Sequence, residues 1–403
     1  MKGLVVFAIT YVLVASQRLR FVRVDRPAGA LIGAVLAVVI GASTPEEAAE
    51  AIDKSTLVLL FAVMGMGAFL AIDGFFDRAA PRLAHLARSK AGLLGTVVWG
   101  SGILSAIITN DAVCVLAAPV VVTWIKRWNL PRLPFLLALA TAANTGSVAT
   151  LVGNPQNMLC AHLGHLAFGS YLLHMAPVAI LGLAINHGVL HLLFRKELGG
   201  SLPDEISHEP LFTPRSTLTV GILLGTVVLY SAGANLTFTA LGGFATLLLV
   251  YRADPDRVWE RIDWTVLTFF GALFVAVDAF ARSGIANWFF DRVPLFAGSG
   301  LPGTLRTAGL FLFGSNVVTN VPFILVVRNE MARATNGVQA WELLAMAATF
   351  AGNLTLLGSV ANVIVGEKAK SVGGLGFFEY MRAGVPIALL TTAMGAAWLV
   401  FMH

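Results

Sequence analysis

Four short polar stretches interrupt otherwise apolar runs, and they come as two pairs. Ser105-Ala-Ile-Ile-Thr109-Asn110-Asp111 returns two hundred and ten residues later as Ser315-Asn-Val-Val-Thr319-Asn320-Val321. Thr150-Leu-Val-Gly153-Asn-Pro-Gln-Asn157 returns as Thr355-Leu-Leu-Gly358-Ser-Val-Ala-Asn362, and both read T-L-x-G-x-x-x-N. The chemistry on offer is recognition rather than bond making. Asparagine donates and accepts, and serine and threonine bring rotatable hydroxyls. Glycine allows close backbone approach. Such groups cost free energy in a lipid-spanning segment unless they line a cavity. The expected solute contacts are therefore Thr109, Asn110, Thr150, Gly153, Asn157, Ser315, Thr319, Asn320, Thr355, Gly358 and Asn362, with Asn144 and Asn353 just before the second motifs. Helix capping and small-residue packing are the competing explanations. They account for the glycines well and for the paired asparagines poorly.

Asp111 is the sharpest single residue, because its repeat partner is Val321. An intramembrane carboxylate is by default a functional candidate. Proton coupling is the role expected of it; capping the following helix is the alternative. Asp73, Asp278 and Glu367 fall near span ends and read as interfacial, and His162 and His165 read as boundary residues. Cys114 and Cys160 both lie in apolar segments, where packing is the expected role, and nothing suggests a disulfide or a zinc site. No lysine or arginine falls inside the four motifs, which tilts the expected solute toward one that is neutral or weakly charged. No nucleophile–base pair or metal motif appears, so neither an enzyme nor a cofactor or metal is expected.

The elements that must hold these residues are membrane helices. Of 403 residues 57% are hydrophobic and only 12% charged, against about a quarter charged in a soluble domain. The net charge of +5 is spread over loops, so it reports topology rather than nucleic-acid binding. Arginines 18, 20, 23 and 26, then Arg78, Arg82, Arg88 and Lys90, mark cytoplasmic loops, while Glu46, Glu47, Glu50 and Asp53 mark an external one. Both termini are then outside the cell. Residues 91–125 start and end at basic loops, yet their arms of about 15 residues reach only ~22 Å of a ~30 Å core. A re-entrant helical hairpin with Thr109-Asn110-Asp111 at its tip fits, and residues 304–327 form its counterpart. The T-L-x-G-x-x-x-N segments read as broken helices, the first at Pro155. The expected fold is all-α and polytopic, with ten spans, two hairpins and two broken helices. The first repeat covers 1–196, a cytoplasmic linker 197–215, and the second repeat 216–403. Five crossings per half would invert the second copy, the architecture of alternating-access carriers.

At these motifs the chain resembles the ArsB/NhaD permeases of the ion-transporter superfamily. The resemblance is strongest to the plant-type silicic acid efflux transporters and their bacterial relatives. It is carried by Asn129 to Ala140 leading into Ala143 to Asn157, by Ser315 to Pro322, and by Ala351 to Glu367, and it spans most of the membrane region. It implies efflux of silicic acid or arsenite, small inorganic solutes, in exchange for protons across the inner (plasma) membrane. The solutes, protons and the lipid bilayer are then the partners. Sodium-coupled symport of small anions and sodium/proton antiport are the alternatives, followed by a channel-like facilitator. Symporter relatives place sodium at Ser-Asn-Thr clusters, whose order Thr109-Asn110-Asp111 and Ser315 to Asn320 do not reproduce. Some members of the superfamily are homodimers, and the resemblance allows that state here.

Overall fold

The structure is a computed structural model, described over residues 1–15, 24–202, 210–251 and 255–403. Three arginines of the first basic loop (18, 20 and 23) and residues 203–209 of the expected linker lie outside the described residues.

The described residues fold into helices in two series of ten. The first series is α1 (Lys2–Ala15), α2 (Arg26–Val39), α3 (Pro45–Ala51), α4 (Lys54–Ile72), α5 (Phe75–Ala87), α6 (Lys90–Ile107), α7 (Asn110–Arg127), α8 (Arg132–Ser147), α9 (Pro155–Leu163) and α10 (Phe168–Phe194). The second is α11 (Pro214–Ser231), α12 (Leu236–Tyr251), α13 (Pro255–Trp259), α14 (Trp264–Ala281), α15 (Ile285–Arg292), α16 (Gly300–Val318), α17 (Asn320–Val327), α18 (Gly337–Ala351), α19 (Val360–Lys368) and α20 (Phe377–Met402). Helix for helix the order is the same. Local signals repeat with it: Asp53 accepts from Thr56 N to cap α4, and Asp263 accepts from Val266 N to cap α14.

Five helices, α4, α6, α10, α14 and α20, are long and apolar enough to cross a membrane; α1, α2 and α12 are apolar but shorter. Two further segments are interrupted. α8 stops at Ser147 and α9 starts at Pro155, while α18 stops at Ala351 and α19 starts at Val360. The expected breaks in both helices are therefore present. α8 and α18 are buried on every face through their last three turns, as a helix apolar all round must be. They form the centre, and α6 and α16 pack against them.

The hairpin arms differ from the sequence expectation. α6 and α7 are 18 residues each, about 27 Å at 1.5 Å per residue, so their shortfall against the core is slight. The second hairpin keeps a large one: α17 has 8 residues, about 12 Å. Short helices α3, α5, α13 and α15 were not expected from the sequence. His174, near the start of α10, packs against His403, after the end of α20, with ring centroids 4.9 Å apart. These equivalent helices thus run antiparallel.

Candidate functional site

Breaking a helix frees carbonyls that water cannot reach. The closing asparagine of each T-L-x-G-x-x-x-N motif takes up two of them. Asn157 Nδ2 donates to the carbonyls of Ser147 (3.1 Å) and Thr150 (3.0 Å). Asn362 Nδ2 donates to those of Gly352 (2.6 Å) and Thr355 (3.2 Å). Asn154 also caps α9, accepting from Asn157 N at 2.8 Å.

The remaining oxygens of these asparagines are held from the opposite half. Asn144 Nδ2 donates to Asn362 Oδ1 (3.0 Å), and Thr349 Oγ1 donates to Asn157 Oδ1 (3.1 Å). Ser359 Oγ donates to Asn144 Oδ1 (3.0 Å), and Asn154 Nδ2 donates to Thr349 Oγ1 (3.2 Å). The exchange is two-fold in kind. It pairs Asn144 with Thr349, rather than with Asn353 as the sequence suggested. Asn353 instead joins the network by donating to Thr145 Oγ1 (3.1 Å) and by accepting from Asn144 Nδ2 (3.0 Å). Asn144, Asn157, Asn353 and Asn362 are all fully buried.

The first hairpin is pinned to the first break. Asn110 N donates to Gly153 O (2.9 Å), Asn110 Nδ2 to Asn144 Oδ1 (2.9 Å), and Thr150 Oγ1 to Ala106 O (2.7 Å). A Cβ on Gly153 would run into the carbonyl oxygens of Ser147 and Ser105. In the second hairpin Asn316, at the place of Ala106, donates to Ala351 O (3.0 Å) and meets Thr355 Oγ1. Thr109 caps α7 through a 3.4 Å bond from Ala112 N. Thr319, at the start of α17, has φ 68° and ψ 156° and caps nothing with its side chain. That backbone region is essentially glycine's, and a β-branched residue held there stores strain.

A cavity of about 560 Å³ lies where these parts meet. Its wall holds first-turn residues of four helices: Asn110 and Asp111 of α7, Pro155 and Gln156 of α9, Asn320 and Val321 of α17, and Val360 of α19. Free N–H groups and the positive ends of helix dipoles gather at such places. Thr319, Thr355, Gly358 and Ser359 complete the polar lining, and Tyr11, Phe269, Phe270 and Phe377 supply apolar walls. Of the sequence-expected contacts, Asn110, Thr319, Asn320, Thr355 and Gly358 line this cavity. Asn144, Thr150, Gly153, Asn157, Ser315, Asn353 and Asn362 lie behind it as the scaffold, and Thr109 faces a second cavity of about 400 Å³. The side-chain oxygens of Asn110 and Asn320 and the hydroxyls of Ser105 and Ser315 are buried without partners.

Asp111 lines both cavities. It sits in the first turn of α7 and within hydrogen-bonding reach of the backbone N–H of Ala361, in the first turn of α19. Its Oδ1 is buried and unpaired. The second cavity leads past Thr109 to Glu260, Arg261 and Asp263. Arg26, the first residue of α2, lines the main cavity and interacts electrostatically with Asp111. Sequence reasoning missed it, because Arg26 lies in an arginine-rich loop that reads as topology. The polar motifs lack basic residues, but the cavity does not. Asp278 is shared by Arg282 and Arg328 at 2.6 and 2.7 Å, and Asp73 is held by Arg78 at 2.8 Å. Both acids thus serve ion pairs away from the cavity.

The family model for citrate transporters, CitMHS, matches residues 11–351. The chain belongs to the CitMHS family. Across 98% of its length it is 30% identical to the silicon efflux transporter LSI3 of Oryza sativa subsp. japonica, covering 96% of that protein. It is 27% identical to the putative transporter arsB of Dictyostelium discoideum, over 99% of this chain and 92% of that one. Two solved transporters share the fold at 14% identity and a TM-score of 0.58. They are YdaH of Alcanivorax borkumensis, with 99% and 96% of the two chains covered, and MtrF of Neisseria gonorrhoeae, with 99% and 93%. This CitMHS member is an all-α, multi-pass membrane transporter and not an enzyme. The resemblance of its motifs to ArsB-type and silicon efflux transporters agrees with these relatives.

Proposed function

We propose that the chain exports a small, oxygen-rich inorganic solute, silicic acid or arsenite, in exchange for protons, with Asp111 carrying the proton. The observation that carries this is the gathering of four helix starts on one cavity around a single carboxylate. Backbone N–H groups and the Asn110, Asn320 and Thr355 side chains suit hydroxyl oxygens that both donate and accept. The two phenylalanines of α14 exclude water from part of the wall. Asp111 touches a second cavity as well, so a proton can arrive while solute occupies the first. The 30% identity to a silicon efflux transporter supports the solute class.

The halves act as inverted repeats, 1–196 and 216–403 about the linker 197–215, with the hairpins 91–125 and 304–327 re-entrant. The antiparallel run of α10 against α20 and the 8-residue α17 support this. Arg127, Arg261 and Lys368 share one surface cleft with Asp77, which supports a basic cytoplasmic face and external termini in the inner membrane.

A second reading has its own support. Arg26 and the four helix starts also suit a small oxyanion or carboxylate. With Asp111 ionised, Arg26 is balanced and a neutral solute fits. With Asp111 protonated, Arg26 is left unbalanced among the described lining residues and an anion fits. Proteoliposomes loaded in turn with silicic acid, arsenite, phosphate and citrate decide between them. Flux of the first two alone supports the neutral-solute exporter; flux of the last two alone transfers the protein to the anion carriers.

A further inference from the structure

Glu342, in the second turn of α18, has a side chain only 1% exposed. A carboxylate buried that deeply needs compensation. It receives two imidazoles from different helices. His174 Nδ1 of α10 lies 2.9 Å from Oε1, and Nε2 of His403, beyond α20, lies 2.9 Å from Oε2. One donor atom from each of the three residues lies within 4.8 Å of the others. With both imidazoles neutral, the carboxylate charge has no counter-charge among these three groups. Tyr171, one turn before His174, is fully buried with its hydroxyl unpaired and interacts electrostatically with Glu342.

We propose that His174, Glu342 and His403 bind a divalent transition-metal cation, zinc first. Two imidazole nitrogens and one carboxylate are a donor set zinc accepts at about 2.0–2.2 Å, leaving a fourth position open. One carboxylate is too few oxygens for calcium or magnesium. The sequence gives no spacing signal, since the three residues lie far apart along the chain and meet only because α10, α18 and α20 pack together. None of the three residues lines the solute cavity, and the site does not depend on what the protein transports. The metal would tie the start of α10 to α18 and to the end of α20. On α18 it would lie about two turns from Thr349, which joins the two halves.

The test is zinc binding to detergent-solubilised protein with any polyhistidine tag removed, by calorimetry, together with melting curves with and without zinc. Wild type, His174→Ala, His403→Ala and the double variant are compared. Each alanine leaves the buried Glu342 a partner short, so His174→Gln and His403→Gln, which keep a hydrogen-bond donor but are poor zinc ligands, are run beside them. Wild type is expected to bind one zinc per chain and to melt a few degrees higher with it. Each single variant loses at least about tenfold in affinity, and the double variant loses both binding and the melting shift. Wild type that takes up no zinc, or a double variant that binds and shifts like wild type, overturns the site. The three residues are then a hydrogen-bonded triad only.

Discussion

Asn157 and Asn362 make the same three kinds of hydrogen bond. Each gives its amide hydrogens to two carbonyls of the break before it, and each accepts one bond from the other half of the chain. The two broken helices are thereby closed and joined by one device used twice. Removing the Asn157 amide strands the Ser147 carbonyl, removing that of Asn362 strands the Gly352 carbonyl, and either loss also breaks one bond from the other half.

Asn157→Ala and Asn362→Ala should therefore act first on stability. An unsatisfied buried polar group costs about 1–3 kcal/mol, so each variant should melt clearly below wild type. Asn320→Ala, whose side-chain oxygen has no partner to strand, should melt near wild type and lose transport. Melting curves in detergent beside proteoliposome flux separate the two effects. Equal melting losses for Asn320 and Asn362 would refute the division into cavity and scaffold.

The two motif glycines should not tolerate alanine equally. At Gly153 a Cβ meets two backbone carbonyls, which cannot move without shifting the hairpin or the break. At Gly358 the closest atom is the Asn316 amide at 2.7 Å, a side chain, and the backbone carbonyls of Ala351 and Gly352 stand farther off, at 3.0 and 3.2 Å, than those at Gly153. Gly153→Ala should cost most of the folded yield in size-exclusion profiles, and Gly358→Ala only part of it.

Thr319→Gly should raise the melting temperature. The φ of 68° with ψ 156° is a conformation glycine adopts freely, and relief is worth about 1–3 kcal/mol. Thr319 also lines the cavity. A variant that melts higher yet transports poorly would show that this strained turn serves the solute site rather than the fold.

The repeat, the breaks and the polar hairpin tips were legible in the sequence because each is a local violation: asparagine, glycine or proline within an apolar run. The roles of the asparagines were less so. An asparagine that staples carbonyls and one that faces solute look alike until the partners are placed. That is why Asn157 and Asn362 were grouped with Asn110 and Asn320. The pairing of Asn144 with Thr349 was hidden because the offset between the halves shifts from 210 residues at the hairpins to 205 at the breaks. Arg26 and the cluster of His174, Glu342 and His403 carry no local signal; only tertiary packing puts them where they are.

Arg26→Gln should separate the solute classes. Silicic acid or arsenite flux should survive at a reduced rate, because a neutral solute needs the cavity's polar groups more than its charge. Any oxyanion flux should fall by an order of magnitude or more, the scale of a charge-assisted bond of about 1.5–3 kcal/mol. Initial rates with each solute in the same vesicles measure this directly.

The most direct measurement of the central claim is solute efflux from proteoliposomes under an imposed pH gradient, without sodium, for wild type and Asp111→Asn. The expected result is proton-driven flux of silicic acid or arsenite in wild type and its loss in the variant, with the variant's melting temperature unchanged. Gradient-driven flux that survives in Asp111→Asn, or wild-type flux that needs sodium and ignores the pH gradient, would contradict it.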